Sequence, residues 1–259
     1  MFHFRHLAAV PALVLLMGGA AHAALTVDQV WTSWKDGATQ IGLTLSAATE
    51  SNAGGVLTLN GVTMARAGQQ GGLTISDLVL TEQGDGTVLI KPGDSIAFNV
   101  GDAAEGAKAG IAHQGLTLVA SEGAQGGISY DFAADTLAVD FSAVQPGYSF
   151  VEGQAAKPVT SSGKIALEAL KGVYADTPGE NRTFGLSLTG GKTVMDMTSD
   201  NPDMQMKTSS NTMSESLAVD FGLTLPSGIT LGAIQSAADF GTALQQGLAV
   251  TLHVEQGAS

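Results

Sequence analysis

The chain has 259 residues, 44% of them hydrophobic but only 5% aromatic, with 34 glycines and no cysteine. Its 24 acidic residues outweigh 11 basic ones for a net charge of −13, which excludes the basic footprint that nucleic acid or an anionic membrane surface requires. Without cysteine there are no disulfides, so stability must come from burial and hydrogen bonding.

Residues 1–23 read as an export leader. His3, Arg5 and His6 precede the apolar run Leu7–Ala20, and Ala21-His22-Ala23 has the small-residue pattern of a cleavage site. That run is shorter than the roughly 20 apolar residues a bilayer span needs, and no later segment approaches this length. The expected mature chain starts at Ala24, has no integral membrane segment and resides in the periplasm.

A helix opens the mature chain. Thr26 and Gln29 have capping-box spacing, and Val27, Val30, Trp31, Trp34, Ala38 and Ile41 form one apolar stripe. The stripe is read as a helix plugging a β-structure, with Trp31 and Trp34 as candidate ligand contacts on the alternative reading.

Two-residue alternation then takes over, and it means half-buried strands. It predicts strands at Ile41–Ala47, Val56–Met64, Leu73–Glu82, Thr87–Lys91 and Ser95–Val100, with a hairpin turn at Gly84-Asp85-Gly86. Gly101–Gly110 reads as a polar loop. Strands follow at Ile111–Ser121, Gly127–Phe132 and Thr136–Val144. Residues 146–163, with two prolines and three glycines, read as a long loop or joint between a first β region (24–145) and a second (164–259).

In the second region, Lys164–Tyr174 fits either a strand or a helix, and Gly172 favours the strand. Further strands are expected at Thr183–Leu188, Lys192–Thr198, Asp203–Thr208 and Met213–Leu225, then a helix at Leu231–Gln246 and a last strand at Leu248–Glu255. The pentapeptide LAVDF occurs at 137–141 and 217–221, and GLTL recurs in several strands, as in a sheet grown by adding similar hairpins. The fold expected is mainly β: an elongated, curved antiparallel sheet, as a groove or open sandwich, with a helix at the N-terminal end and another near the C-terminus.

The segments LTVDQVWTSWKDGATQIGLTLSA, GVLTLNGVTM and VYADTPGENRTFGLSL resemble an uncharacterised family of exported Gram-negative bacterial proteins, a domain of unknown function. Its most specific pieces are the V-W-x-x-W helix and the D-T-P-G-E-N-R turn. The resemblance implies a longer protein of which this chain is an N-terminal part, and it implies no catalytic residues. More distantly, the strand style is similar to that of the AsmA and TamB envelope proteins, which build curved sheets with an apolar groove and are implicated in lipid movement.

Fragments of catalytic signatures fail on spacing. Ser161-x-x-Lys164, Ser199-Asp200-Asn201 and Lys207-Thr208-Ser209 mimic serine β-lactamase elements, but the last two lie too close together and the third lacks its glycine. His113 and His253 stand far apart in sequence with no ligand-spaced partner, and no cofactor or metal site is expected. Five of the eight methionines, Met195, Met197, Met204, Met206 and Met213, crowd one segment. They fit a filled sheet face, a flexible surface for an apolar ligand, or soft ligands for copper. The expectation is a non-enzymatic envelope protein that binds or guides a hydrophobic ligand such as lipid; the alternative is a structural or interaction module that pairs with another envelope protein.

Overall fold

The computed structural model describes residues 24–66, 71–101, 106–145, 157–229 and 237–257; residues 1–23, read from sequence as a leader, lie outside them. Helix α1 (Val27–Gln40) starts at the expected capping box: the Gln29 N–H donates to Thr26 Oγ1 at 3.2 Å and the Thr26 N–H donates back to Gln29 Oε1 at 2.8 Å. It stops at Ile41, whose N–H folds back onto the Ala38 carbonyl, and Gly42 takes the left-handed conformation that lets the chain leave.

Among the described residues the strands form one antiparallel sheet. The first rung is β1 (Thr44–Ser46) with β2 (Thr49–Ala53), followed by β3 (Val56–Ala65) and β4 (Gly71–Glu82). Strands β5 (Val88–Pro92) and β6 (Ile96–Gly101) make the fourth rung, β7 (Gly106–Gln114) and β8 (Thr117–Glu122) the fifth. The two longest strands, β9 (Ile128–Gln145) and β10 (Val159–Thr177), come next. Then follow β11 (Arg182–Gly190) with β12 (Thr193–Asn201), β13 (Met206–Ser214) with β14 (Leu217–Leu225), helix α2 (Ala237–Gln245) and edge strand β15 (Ala249–Gln256). Each rung pairs with its neighbour in the chain, so the topology is a plain meander.

Every rung from the first to the ninth is interrupted at the same level. Gly61 and Ser76 drop out of the β3–β4 register, Asp135 and Ala169 drop out of β9–β10, and the split rungs break at 47–48, 93–95, 115–116, 191–192 and 215–216. These interruptions line up into a crease: the register is the same on both sides of it along β3–β4 and β9–β10, and shifts by one residue, as in a β-bulge, beside 93–95. Backbone bonding survives it: the Ser76 N–H donates to the Ser95 carbonyl at 3.0 Å, the Gly93 N–H to Asp77 at 2.8 Å and the Glu168 N–H to Lys192 at 3.0 Å.

The extra residue also resets the alternation. A strand that crossed a bend without it would turn its apolar residues outward, because one step reverses the face. Instead the inward series runs Leu57, Leu59, then Val62, Met64 on β3; Leu73, Ile75, then Leu78, Leu80 on β4; and Ala134, then Leu137, on β9. One face is thus mainly apolar, apart from Thr208, Ser210 and Thr212 on β13, while Lys91, Lys108, Asp131, Asp140, Lys164, Lys171 and Asp220 lie on the other. Both LAVDF copies start just past the crease and send Leu, Val and Phe inward.

The packed core lies on one wing. Val27, Val30 and Trp31 of α1 bury against Leu57, Leu59, Leu78, Leu80, Val88 and Ile90, each side chain contributing roughly 1.5–3 kcal/mol. On the other wing Val62 joins this core, with Leu45 and Ile75 packed on it, and the described strands further along form a single layer. Two phenylalanines shield glycines there and on the core wing: a Cβ on Gly163 would strike the Phe141 ring at 2.7 Å, and one on Gly172 the Phe132 ring at 2.2 Å. In each case the ring covers its direct cross-strand partner.

Several expected boundaries move. Residues 106–110, read as loop, belong to β7, and 159–163, read as part of the joint, begin β10. Ile111–Ser121 is split by the crease, whereas the two strands expected across 127–144 are one continuous β9. Residues 202–205 are a turn, so no strand begins at Asp203, and Met213–Leu225 straddles a break. Helix α2 is described from Ala237, and the preceding part of the expected helix lies outside the described residues, as do 102–105 and 146–156.

Ala169 holds φ +51° at the crease without being glycine, a conformation that costs an L-residue about 1 kcal/mol or more. Ala169→Gly is expected to raise stability by up to about 1 kcal/mol in urea unfolding. Gly61→Val, at φ +59° with the Ala48 Cβ only 3.1 Å from any added Cβ, is expected to lower it by more than that.

Candidate ligand groove

Helix α1 covers β3 to β5 but not the middle of the sheet. What it leaves is a groove of about 920 Å³. Its floor is Leu118, Tyr130, Phe132, Leu186, Phe221 and Leu223; one wall is Trp34, Gly37, Ala38 and Ile41 of α1. Leu45, Val62, Met64, Leu73 and Ile75 reach it from across the crease, so the bend closes the sheet towards the helix. The lining runs across the strands from β3 to β14, a span of roughly 30 Å at the ordinary strand spacing. Beside the polar end, where the lining reaches β14, Leu225 packs with Ala243 of α2, Leu248 and Ile229.

An aromatic row holds the helix over this groove. Trp31 and Trp34 meet edge to face with centroids 6.5 Å apart, Trp34 lies 6.0 Å from Tyr130, and Tyr130 lies 6.0 Å from Tyr174. The Trp34 indole N–H donates to the Tyr130 hydroxyl at 2.8 Å, and the Trp31 N–H donates to Glu50 Oε1 at 3.0 Å. Burial pushes the Tyr130 phenol up to about 12, and burial also raises Tyr174, with the nearby Asp176 carboxylate adding to it.

The polar end is organised by Arg182. Its Nε donates to Asp176 Oδ1 at 2.8 Å, its second Asp176 contact completes a bidentate pair, its third nitrogen donates to Gln40 of α1, and it stacks over Phe184 at 5.0 Å. Both Arg182 and Asp176 are largely buried, and the hydrogen bonding to Asp176 raises the guanidinium above its ordinary value. This places the D-T-P-G-E-N-R turn directly beneath the end of the V-W-x-x-W helix. Among the described residues no buried side-chain nitrogen or oxygen lacks a partner, and no group of three or more His, Cys, Asp or Glu side chains is placed to hold a metal.

Of the residues singled out from sequence, Trp34 lines the groove and Trp31 is buried beside it in the core. The methionines lie elsewhere. Met195, Met197 and Met206 share the inward face of the single layer, Met213 faces the opposite way and Met204 sits in the 202–205 turn. Met197, Met204, Met206 and Met213 are all exposed, and the five do not converge on one point. Tyr130, Phe132, Tyr174, Phe184 and Phe221 were missed, although each occupies an inward position of an alternating strand.

Tyr130→Phe removes the acceptor for the Trp34 N–H and is expected to cost about 1–3 kcal/mol. It also tests pH dependence. A phenol whose pKa is raised from 10 to about 12 by folding contributes stability that is complete below pH 10 and lost as pH climbs towards 12. Urea midpoints measured from pH 8 to 11.5 are expected to fall less steeply above pH 10 in the variant.

No family model matches the chain, and comparison with the curated proteins and with the solved structures returns no match either.

Proposed function

We propose that this is a non-enzymatic, exported envelope protein whose groove holds a hydrophobic ligand, a lipid acyl chain, lying across the strands. The observation that carries the reading is the open groove itself: about 920 Å³ lined mainly by aliphatic and aromatic side chains drawn from strands β1 to β14 and from α1. An apolar surface of that extent on a chain with charge −13 is a binding surface rather than a random one. Each methylene buried in it contributes about 0.8 kcal/mol, so a chain of a dozen carbons suffices for firm binding. Export rests on the leader pattern of residues 1–23, and no helix among the described residues is long and apolar enough to cross a membrane. The similarity to AsmA and TamB proteins supports the reading only as fold-level analogy.

A second reading has its own observation. Among the described residues edge strand β15 pairs on one side only and exposes Val250, Leu252 and Val254 on the inward face, with no proline or lysine within it. Such an edge suits pairing with a strand of another envelope protein.

Native mass spectrometry of protein purified from the periplasm distinguishes the two. Extra mass of a lipid, lost in a Leu186→Trp variant that fills the groove floor yet unfolds at the wild-type midpoint, is the expected result. A bare protein mass, with no binding of added acyl probes, would overturn the groove reading and leave the edge.

A further inference from the structure

The groove has two chemically different ends. The far end, at Leu45, Met64 and Leu73 across the crease, is apolar. The near end, between α1 and the turn after β10, opens into two smaller cavities of about 320 and 520 Å³ that share Gln29, Ser33, Pro178 and Arg182. An amphiphile with its chain along the groove floor therefore puts its head group at this near end.

The charges there are one-sided. Asp28, Asp36, Glu122 and Asp176 line the two small cavities, and Glu180 lines the groove beside them. Arg182 is the cation among these linings, and it is already committed: Asp176 balances its charge through a bidentate pair, Gln40 takes a third nitrogen, and Phe184 covers one face. A phosphate or carboxylate head would arrive at a neutralised guanidinium ringed by carboxylates. An ammonium would find acceptors in Asp36 and Glu180, both exposed.

Building on the groove reading above, we propose that the ligand is an amphiphile whose head group carries an ammonium and no net negative charge, and that the acidic near end rejects anionic amphiphiles. Head-group charge thus becomes the specificity of the site, and chain burial its affinity.

The test uses four single-chain probes of equal acyl length, each kept below its critical micelle concentration, at low ionic strength where exposed charges are least screened. They are an alkylammonium, a lysophosphatidylethanolamine, a lysophosphatidylglycerol and an alkyl sulfate, each displacing an uncharged acyl fluorophore from the mature protein. Affinity is expected to fall in that order, by about tenfold or more between the first and the last. The double variant Asp36→Asn/Glu180→Gln is expected to compress the order to within a few-fold. Asp131→Asn/Asp220→Asn, which removes the same charge from the opposite sheet face, is expected to leave it intact.

Equal or tighter binding of the two anionic probes would overturn the head-group proposal while leaving the groove reading standing. An order that both double variants compress alike would also overturn it, since the protein's overall charge would then account for the preference. Failure of the uncharged fluorophore to bind at all would sink the groove reading, and this proposal with it.

Discussion

A folded sheet can keep one apolar face only if each strand that crosses the bend carries an odd extra residue. This constraint organises the molecule. Gly61, Ser76, Asp135 and Ala169 are those residues on the unbroken strands, and short breaks do the same on the split ones except at 93–95, where Pro92 and Ile96 face inward four residues apart. Without the reset, Leu137, Val139 and Phe141 would turn to the outer face while Ala138 and Asp140 turned to the inner one. The strain at Ala169 and the glycine at 61 are local costs of a global requirement.

The second determinant is incomplete cover. A 14-residue helix is about 21 Å long, enough to shield four or five strands and not ten rungs. It is fixed where it lies by directed bonds rather than by greasy contact alone: Trp31 to Glu50, Trp34 to Tyr130, Gln40 to Arg182. A helix pinned in this way cannot slide over to fill the neighbouring groove, so the vacancy between α1 and α2 is held open by the same bonds that hold the core closed.

Much of this was legible in the chain. The capping box, the apolar stripe and the alternation through Val56–Val100 dictated helix and strands, since those signals depend on residues three or two apart. The crease was not legible, because the extra residue it places on a strand breaks the period that strands are read from. Phe132–Thr136 therefore looked like a gap between two strands, and Gly106–Gly110, small and polar on alternate sides, looked like loop. The groove was legible only in part. Trp34 stood out through its helical spacing, but Tyr130, Tyr174 and Phe221 are separated by tens of residues and are joined only by register. The methionine cluster drew notice because it is dense in sequence; its residues are divided between the two faces of the sheet and a turn.

The meander has a consequence for how the chain reaches this shape. Every rung bonds only to the rung before and the rung after it, so no pairing waits for a distant segment to be made. Local closure of this kind lowers the entropy cost of each step and shortens the search. A polypeptide that emerges with its N-terminus first can seat α1 on the earliest hairpins and then add strands one at a time. At each stage the last rung added presents an unpaired edge, the point at which the next rung, or the wrong neighbour, attaches.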